Sequence, residues 1–521
     1  MVQKSTFDRR EAVIDAPSRH EAGVSPHELR MVLIGLMMAL ALAALDQNIV
    51  ATALPRITGD LGGFQHLSWV VTAFIVTSTI SAPLYGRLSD LYGRKAAFSV
   101  SILLFLVGSI ACGLAGDLLQ LILSRALQGL GAGGLIVLAQ TVIGDLVSPR
   151  ERGRYQGLFA AVFAACSVAG PLLGGLITQY ASWRWIFYVN LPVGGAALAL
   201  IVAFLRPHES NLKPRIDFVG AALLIAGTSC LLLLLTWGGS VYAWTSAQIL
   251  VLGTATALCF GALAAVESRV SQPILPPSLF KNRVFIIGAG VISLAAMALF
   301  AAVVFLPLMF QLLMNASPAS AGLMISPMMA GVIVASFVGG RLVSRTGRYK
   351  LFPVLGLFAA ALSYAALAWA AWAQIGVLPI EGILVVMGVG IGFVMPNLTT
   401  AIQNAVGRGE LGGATAAAAF FRSLGGALGV AISGAVLASR LSDLPGSMQA
   451  AGGVLQIASF APGQRATVLA AYRAGLSGAF VAGAIIASAG FVLVLFLPEL
   501  PLRGGAVQAR PTRQMLAESD A

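Results

Sequence analysis

The sequence predicts an all-α polytopic membrane protein made of two six-helix bundles with two inserted helices between them. Of its 521 residues, 58% are hydrophobic and only 10% are charged, whereas about 25% of the residues in soluble domains are charged. Fourteen apolar runs, from 31–54 to 472–498, are each long enough to cross a hydrocarbon core of roughly 30 Å as a helix. A basic sequence between two of these runs occurs twice, which indicates two related halves.

The spans are expected to be helices rather than strands. Lipid offers no water to the unpaired edge of an open sheet, and the runs lack the alternating pattern of barrel strands. Residues 1–29 are polar and show no apolar periodicity. We therefore expect a disordered tail there, and no cleaved signal peptide.

The repeated basic sequence gives the domain plan. Its first copy is Gly86–Lys95, and the same frame returns at Gly340–Arg348 after a shift of 254 residues. The first copy follows the second span, but the second copy follows the tenth span, so two additional spans lie between the halves. The predicted domains are a cytoplasmic tail (1–29), an N-terminal bundle (30–206), an insert with its linkers (207–283), a C-terminal bundle (284–498) and a second cytoplasmic tail (499–521).

The charge of the connectors predicts how the chain is oriented. One set of alternate connectors carries 17 lysines and arginines, from Arg87 to Arg408, and the other set carries 5. Basic connectors stay on the cytoplasmic side of a membrane, so the first set and both termini are expected in the cytoplasm, with the chain in the cell (inner) membrane. The net charge of +12 thus reflects topology and gives no support to nucleic-acid binding.

Two charged residues lie inside apolar spans. Asp46 is deep in the first span and Arg125 is in the fourth. A charge at this depth is costly and by default indicates a functional group. Desolvation favours the protonated carboxyl group, so Asp46 is a candidate for binding and releasing a proton. The other interpretation is a carboxyl group hydrogen-bonded for packing alone, with Arg125 as a static tie between helices.

Several motifs in these spans give the chain a family resemblance. Gly86–Lys95 resembles the cytoplasmic loop signature of the major facilitator superfamily. The chain is similar to the fourteen-span drug:proton antiporter branch of that family in four further places: Leu45–Pro55, Leu121–Gly133, Gly157 with Gly170–Gly175, and Trp183–Gly194. Cys166 stands where the branch usually has a glycine. The resemblance implies the major facilitator fold.

The resemblance also implies roles for named residues. Asp46 and Arg125 would couple transport to protons. The antiporter motif of the fifth span would comprise Gly157, Gly170, Pro171, Gly174 and Gly175. The candidate residues of a substrate cavity are Gln47, Asn48, Thr52, Gln128, Phe421 and Arg422. Arg422 has a second interpretation, because it could instead anchor the thirteenth span.

The first copy of the repeat is the candidate cytoplasmic gate, formed by Gly86, Asp90, Gly93 and Arg94. The two glycines predict a tight turn. Asp90 can pair with Arg94 or cap a helix N-terminus across the boundary between the halves. The second copy has Ser344 at the position of this carboxylate, so we expect the two copies to act differently.

The expected function is proton-coupled export of hydrophobic or cationic compounds by alternating access. A transporter for one metabolite, siderophore, lipid or vitamin, working in either direction, remains open as an alternative. A membrane enzyme or sensor is disfavoured because no clustered catalytic set is visible. No nucleotide-binding loop, cofactor site or metal site is evident in the sequence. The segment Ser439–Ala471 is a candidate docking site for a periplasmic adaptor protein.

Overall fold

The structure is a computed structural model that describes residues 25–61, 67–207, 217–239, 242–270, 273–441 and 462–502. These residues are almost entirely helical. They contain 14 helical segments that are long and apolar enough to cross a membrane. The predicted fold class and number of spans are confirmed. Residues 442–461, the middle of the segment predicted to dock an adaptor, lie outside the described residues.

The N-terminal bundle contributes six spans. Its helices are α1 (Pro26–Leu61), α2 (Leu67–Tyr92), α3 (Arg94–Leu114), α4 (Leu118–Leu146), α5 (Pro149–Tyr180), α6 (Trp185–Tyr188) and α7 (Asn190–Phe204). The last two together form the sixth span, Trp185–Phe204.

The insert and the C-terminal bundle follow. Their helices are α8 (Phe218–Trp237), α9 (Ala247–Glu267), α10 (Arg283–Leu313), α11 (Pro318–Leu323), α12 (Ser326–Thr346), α13 (Leu351–Ala373), α14 (Val377–Ala405), α15 (Leu411–Leu441) and α16 (Pro462–Leu495).

Local sequence fixes where several helices begin. Asp117 and Asn282 cap α4 and α10, because their side-chain oxygens accept backbone N–H groups that have no partner within the helix. Ser25 and Glu28 form a reciprocal capping box at the start of α1. The first helix therefore begins at Pro26, earlier than the predicted residue 31, and the end of the predicted tail is helical.

Glycine makes the turns between helices at equivalent places in the two halves. Gly93 separates α2 from α3 with φ of 90°, and Gly347 ends α12 with φ of 72°. Residues with a Cβ atom rarely adopt these angles. The predicted tight turn is confirmed at Gly93, but Gly86 lies inside α2 and makes no turn.

The two bundles meet at one end of the molecule, which we call the basic end because Arg87, Arg94 and Lys95 lie there. At this end α2 packs against α15 and α5 packs against α12. Ala82 of α2 and Ala419 of α15 belong to one small buried cluster across the boundary. The structure is thus closed at the basic end.

The insert lies beside one of these contacts between the bundles. Helix α8 packs against α9 and also touches both α2 and α15. At the opposite end, the rings of Trp69 and Trp237 meet edge to face with centroids 5.6 Å apart. The insert therefore covers the boundary between α2 and α15.

The chain after α16 is tied to the basic end. The Tyr349 hydroxyl donates a hydrogen bond to the Pro498 carbonyl (2.9 Å) and accepts one from the Leu500 N–H (2.7 Å). Burial raises the pKa of the Tyr349 phenol, so it stays protonated and able to donate. The first residues of the predicted second tail are consequently ordered against the C-terminal bundle.

Candidate functional site

The Asp46 carboxylate is the centre of a buried polar network in the N-terminal bundle. It accepts hydrogen bonds from Arg125 Nη1 (2.5 Å), Gln128 Nε2 (2.7 Å) and Asn190 Nδ2 (3.0 Å). Ser109 Oγ accepts further hydrogen bonds from Gln128 and Asn190. Helices α1, α3, α4 and α7 thus each contribute one or more members of the network.

The Arg125 guanidinium is as fully enclosed as its partner. Asp46 and Arg125 are at most 1% exposed. Arg125 also donates to Gln128 Oε1 (2.6 Å) and to the Val70 carbonyl (3.3 Å). Its face lies 4.0 Å from the centroid of the Phe74 ring, where a cation is attracted to the π electrons. The pair carries no net charge, which is what allows it to lie at this depth.

In this arrangement the charge of Arg125 is balanced by one carboxylate, that of Asp46. If a proton added to Asp46, the carboxylate would become neutral and Arg125 would lose its counter-ion. Removal of one partner of a buried ion pair typically costs about 3–5 kcal/mol. Protonation therefore favours any conformation in which the arginine finds another anion or water. Arg125 donates to Gln128 Oε1 as well as to Asp46, so part of its hydrogen bonding remains after protonation.

Sequence reasoning found only part of this network. Asp46 and Arg125 were predicted, and the structure brings them together. Gln128, expected in a substrate cavity, is instead fully buried between Asp46 and Ser109. Asn190 and Ser109 were missed as site residues, although a polar amide inside an apolar span was a signal available for Asn190.

A second charged cluster joins the two bundles at the basic end. Asp90 Oδ1 lies 2.5 Å from Arg94 Nη1, and Asp90 Oδ2 accepts the Gly413 N–H (3.1 Å) near the start of α15. Both interactions expected for Asp90 are therefore present at once. Arg94 also contacts Asp145 Oδ2 (2.7 Å), near the end of α4.

Close approach of the backbones across the boundary depends on glycine. A Cβ atom on Gly86 would collide with Ala416 Cβ and would lie 2.7 Å from the Gly412 carbonyl oxygen of α15. A Cβ atom on Gly157 would lie 2.6 Å from the Ser336 carbonyl oxygen of α12. Gly86 and Gly157 thus permit the contacts that close the basic end.

The remaining glycines of the antiporter motif differ from one another. A Cβ atom on Gly170 would lie 2.7 Å from Asn48 Cβ, so this residue packs tightly against α1. Gly174 is buried, and its carbonyl accepts from Thr178 Oγ1 (2.6 Å). Gly175 faces open space, and a Cβ atom built there would meet no neighbour within 4 Å. Pro171 lies within α5, and its side chain is outside the described part of the chain.

The other candidate cavity residues are scattered. Gln47 and Asn48 are partly buried on α1, and the Asn48 amide donates to the Ala44 carbonyl (2.6 Å) of its own helix. Phe421 packs against the ring of Phe280, with centroids 6.4 Å apart. Arg422 is partly buried. The side chain of Thr52 is outside the described residues.

The fold and this site define a polytopic membrane protein of the transporter class. Residues 36–430 match the model of the Major Facilitator Superfamily, and the chain belongs to that family. The expected resemblance is thereby confirmed, and the paired bundles with inserted helices are the form the family takes here.

Known relatives agree with this assignment. The chain is 37% identical to multidrug transporter protein MdtP of Bacillus subtilis, over 80% of this chain and 76% of the relative. It is 35% identical to multidrug resistance protein 3 of the same organism, over 81% and 83% of the two chains. The solved structure of the human organic anion transporter MFSD10 superposes with a TM-score of 0.63 at 16% identity, covering 90% of this chain and all of that chain. At this identity the likeness shows the fold alone.

Proposed function

We propose that this protein is a proton-coupled exporter of hydrophobic or amphipathic small molecules that works by alternating access. The observation that carries the proposal is the buried network of Asp46, Arg125, Gln128 and Asn190. The multidrug names of the relatives MdtP and multidrug resistance protein 3 support an efflux role. The chain would act in the inner membrane, with its basic end and both termini in the cytoplasm.

The proton would act through Asp46. In the described state Asp46 is shielded, so proton exchange requires a second conformation in which water reaches it. Protonation would free Arg125 from its counter-ion and shift the balance between the two conformations. Inward movement of one proton contributes about 2.3 kcal/mol per 100 mV of membrane potential.

The contacts between the bundles would form the gate on the cytoplasmic side. The described state is closed there by Asp90 and Arg94 and by the glycine contacts of α2 with α15 and of α5 with α12. Alternating access would separate these surfaces while each bundle keeps its own core. Such rocking about a central site is the usual movement of transporters built from repeats.

The test is Asp46→Asn in everted vesicles that accumulate a lipophilic fluorescent dye when the interior is acidified. The amide is nearly isosteric and still accepts hydrogen bonds, but it cannot carry a proton, so we expect gradient-driven accumulation to be lost. A protonophore should abolish accumulation by the unmodified protein.

Asp117→Asn is the matched control, because Asp117 is exposed and asparagine is an equally good helix cap. This variant should transport normally. Full gradient-driven accumulation by Asp46→Asn, at equal amounts of protein in the membrane, would refute the coupling role. Dye movement out of everted vesicles would instead indicate uptake rather than export.

A further inference from the structure

Arg422 is a cation in the middle of the C-terminal bundle. It is the twelfth residue of α15, which places it about 17 Å from the basic end at a rise of about 1.5 Å per residue. This depth is close to the centre of a hydrocarbon core of roughly 30 Å.

The charge of Arg422 has no counter-ion among the described residues. In the part of the chain that the structure describes, no ion pair, hydrogen bond or ring contact involves its side chain. Arg125, at comparable depth in the other bundle, has a carboxylate 2.5 Å away. An unpaired guanidinium in the membrane is costly and is normally held toward the protein interior or a water-filled space.

The phase of α15 shows which way Arg422 faces. Gly412 and Ala416 contact α2 of the opposite bundle, whereas Gly425 and Gly429 contact α10 of the same bundle. On a helix with 3.6 residues per turn, Arg422 falls on the narrow arc between these two faces.

Thr415, two turns before Arg422, lies on the same arc and confirms its direction. It accepts a hydrogen bond from the Gln403 amide, which also donates to the Gln140 carbonyl of α4 in the opposite bundle. This arc therefore faces the region between the bundles, and Arg422 is directed toward that region.

Carboxylates near this region cannot neutralise Arg422. The described spans of the C-terminal bundle contain one acidic residue, Glu381, in the second turn of α14 at the end opposite the basic end. In the N-terminal bundle, Asp46 already accepts three hydrogen bonds and pairs with Arg125. The central region thus presents an unmatched positive charge.

The aromatic ring of Phe300 lies about one helical turn from Arg422 along α15. Gly426, one turn beyond Arg422, has no side chain, and the Phe300 ring of α10 packs closely against it. A Cβ atom built on Gly426 would lie 3.0 Å from Phe300 Cδ2. A guanidinium and an aromatic ring about one helical turn apart are suited to a ligand with an anionic group and an apolar body.

We propose that Arg422 binds the anionic group of the substrate, so that the preferred cargo is an amphipathic organic anion such as a carboxylate or sulfonate. This proposal rests on the export function proposed above and replaces the cationic cargo that the sequence suggested. Phe300 would contact the apolar part of the cargo.

Three probes with the same apolar body test the charge preference: 1-naphthaleneacetate, its methyl ester and (1-naphthylmethyl)trimethylammonium. Binding to the detergent-purified full-length protein is measured by isothermal titration calorimetry, which needs no turnover. We expect the unmodified protein to bind the acid most tightly. Arg422→Gln should weaken binding of the acid by roughly 10- to 100-fold, the value of a charge-assisted hydrogen bond, and leave the ester unchanged.

Arg440→Gln is the control, because Arg440 is exposed in the last turn of the same helix. Arg422→Gln should also raise the thermal unfolding temperature, since it removes a charge without a described counter-ion from the interior of the membrane. If Arg422 only anchored α15, Arg422→Gln would lower the thermal unfolding temperature. Arg422→Lys should retain part of the preference for the acid.

Equal binding of the three probes, a preference for the cation, or an unchanged affinity of Arg422→Gln for the acid would overturn this proposal. Proteoliposome transport separates it from the export function. Gradient-driven movement of the ester or the cation but not of the acid would refute the anion preference alone. A preference for the acid in binding without any gradient-driven transport would refute proton-coupled export alone.

Discussion

The two copies of the repeated basic sequence both contact the opposite bundle, but they do so through different interactions. Gly86 of the first copy and Gly340 of the second each lie against a glycine of the opposite bundle, Gly412 on α15 and Gly153 on α5. The first copy adds a carboxylate, Asp90, which binds Arg94 and the start of α15. In the second copy this position is occupied by Ser344, whose hydroxyl donates to the carbonyl of Gly340 in its own helix (2.9 Å).

The difference separates two physical tasks. Glycine allows the helices to approach and serves both copies equally. The carboxylate Asp90 belongs to the first copy, where its partner Arg94 is buried, while the equivalent Arg348 is exposed. Pseudo-symmetry therefore governs the glycine contacts between the bundles, whereas the bond from a carboxylate to the start of the opposite helix is a feature of the first copy.

The largest effect is expected from Asp90→Ala. It removes one of the two carboxylates that pair with the buried Arg94, leaving Asp145, and it removes the cap from α15, at a combined cost of about 2–5 kcal/mol. The closed state should lose most of its population. The measurement is maleimide labelling of Ala82→Cys, a buried boundary position, in a background without the four native cysteines. If Asp90→Ala were labelled as slowly as the protein that retains Asp90, the closed state would not depend on this carboxylate.

Gly86→Ala and Gly340→Ala should have intermediate and similar effects. Each added methyl group meets the backbone of the opposite bundle, and overpacking typically costs about 1–3 kcal/mol. The same labelling assay should show faster reaction for both variants. Gly175→Ala is the control, because a Cβ atom there meets open space. Strongly unequal labelling rates of Gly86→Ala and Gly340→Ala would show that the two glycine contacts are not equivalent.

Ser344→Ala should have the smallest effect. Its hydrogen bond to Gly340 lies within one helix and contributes about 0.5–1.5 kcal/mol. Labelling of Ala82→Cys should change by less than in the glycine variants. If Ser344→Ala increased the labelling rate as much as Asp90→Ala does, Ser344 would stabilise the closed state as strongly as Asp90.

The sequence was sufficient to predict features that depend on local pattern. Span count follows from apolar length, and the turn at Gly93 follows from glycine between two helices. Asp46 and Arg125 were each reasonable candidates for the site because a charge is costly alone in the membrane. The interactions of Asp90 were also anticipated from its spacing to Arg94 and from the position of the boundary.

Other features depend on helix phase and on which helix lies opposite, and these are tertiary. Gly86 was expected in a turn, but its neighbours continue α2 and its role is contact with α15. Asp145 could be recognised as a partner of Arg94 only once the ends of α3 and α4 were placed together. Gln128 faces Asp46 rather than a cavity because of its rotation on α4, which composition does not specify.

The insert has a consequence for molecules dissolved in the lipid. Helix α8 screens the boundary between α2 and α15 from the bilayer, and Leu224 and Leu232 of α8 pack into the core there. At the other boundary, α5 and α12 present bare apolar side chains, with Leu158 40% exposed and Val334 58% exposed. One boundary between the bundles is thus covered by the insert, and no helix of the described residues covers the outer faces of Leu158 and Val334 at the other. A hydrophobic solute dissolved in the bilayer can therefore meet the α5–α12 boundary directly, whereas α8 covers the boundary between α2 and α15.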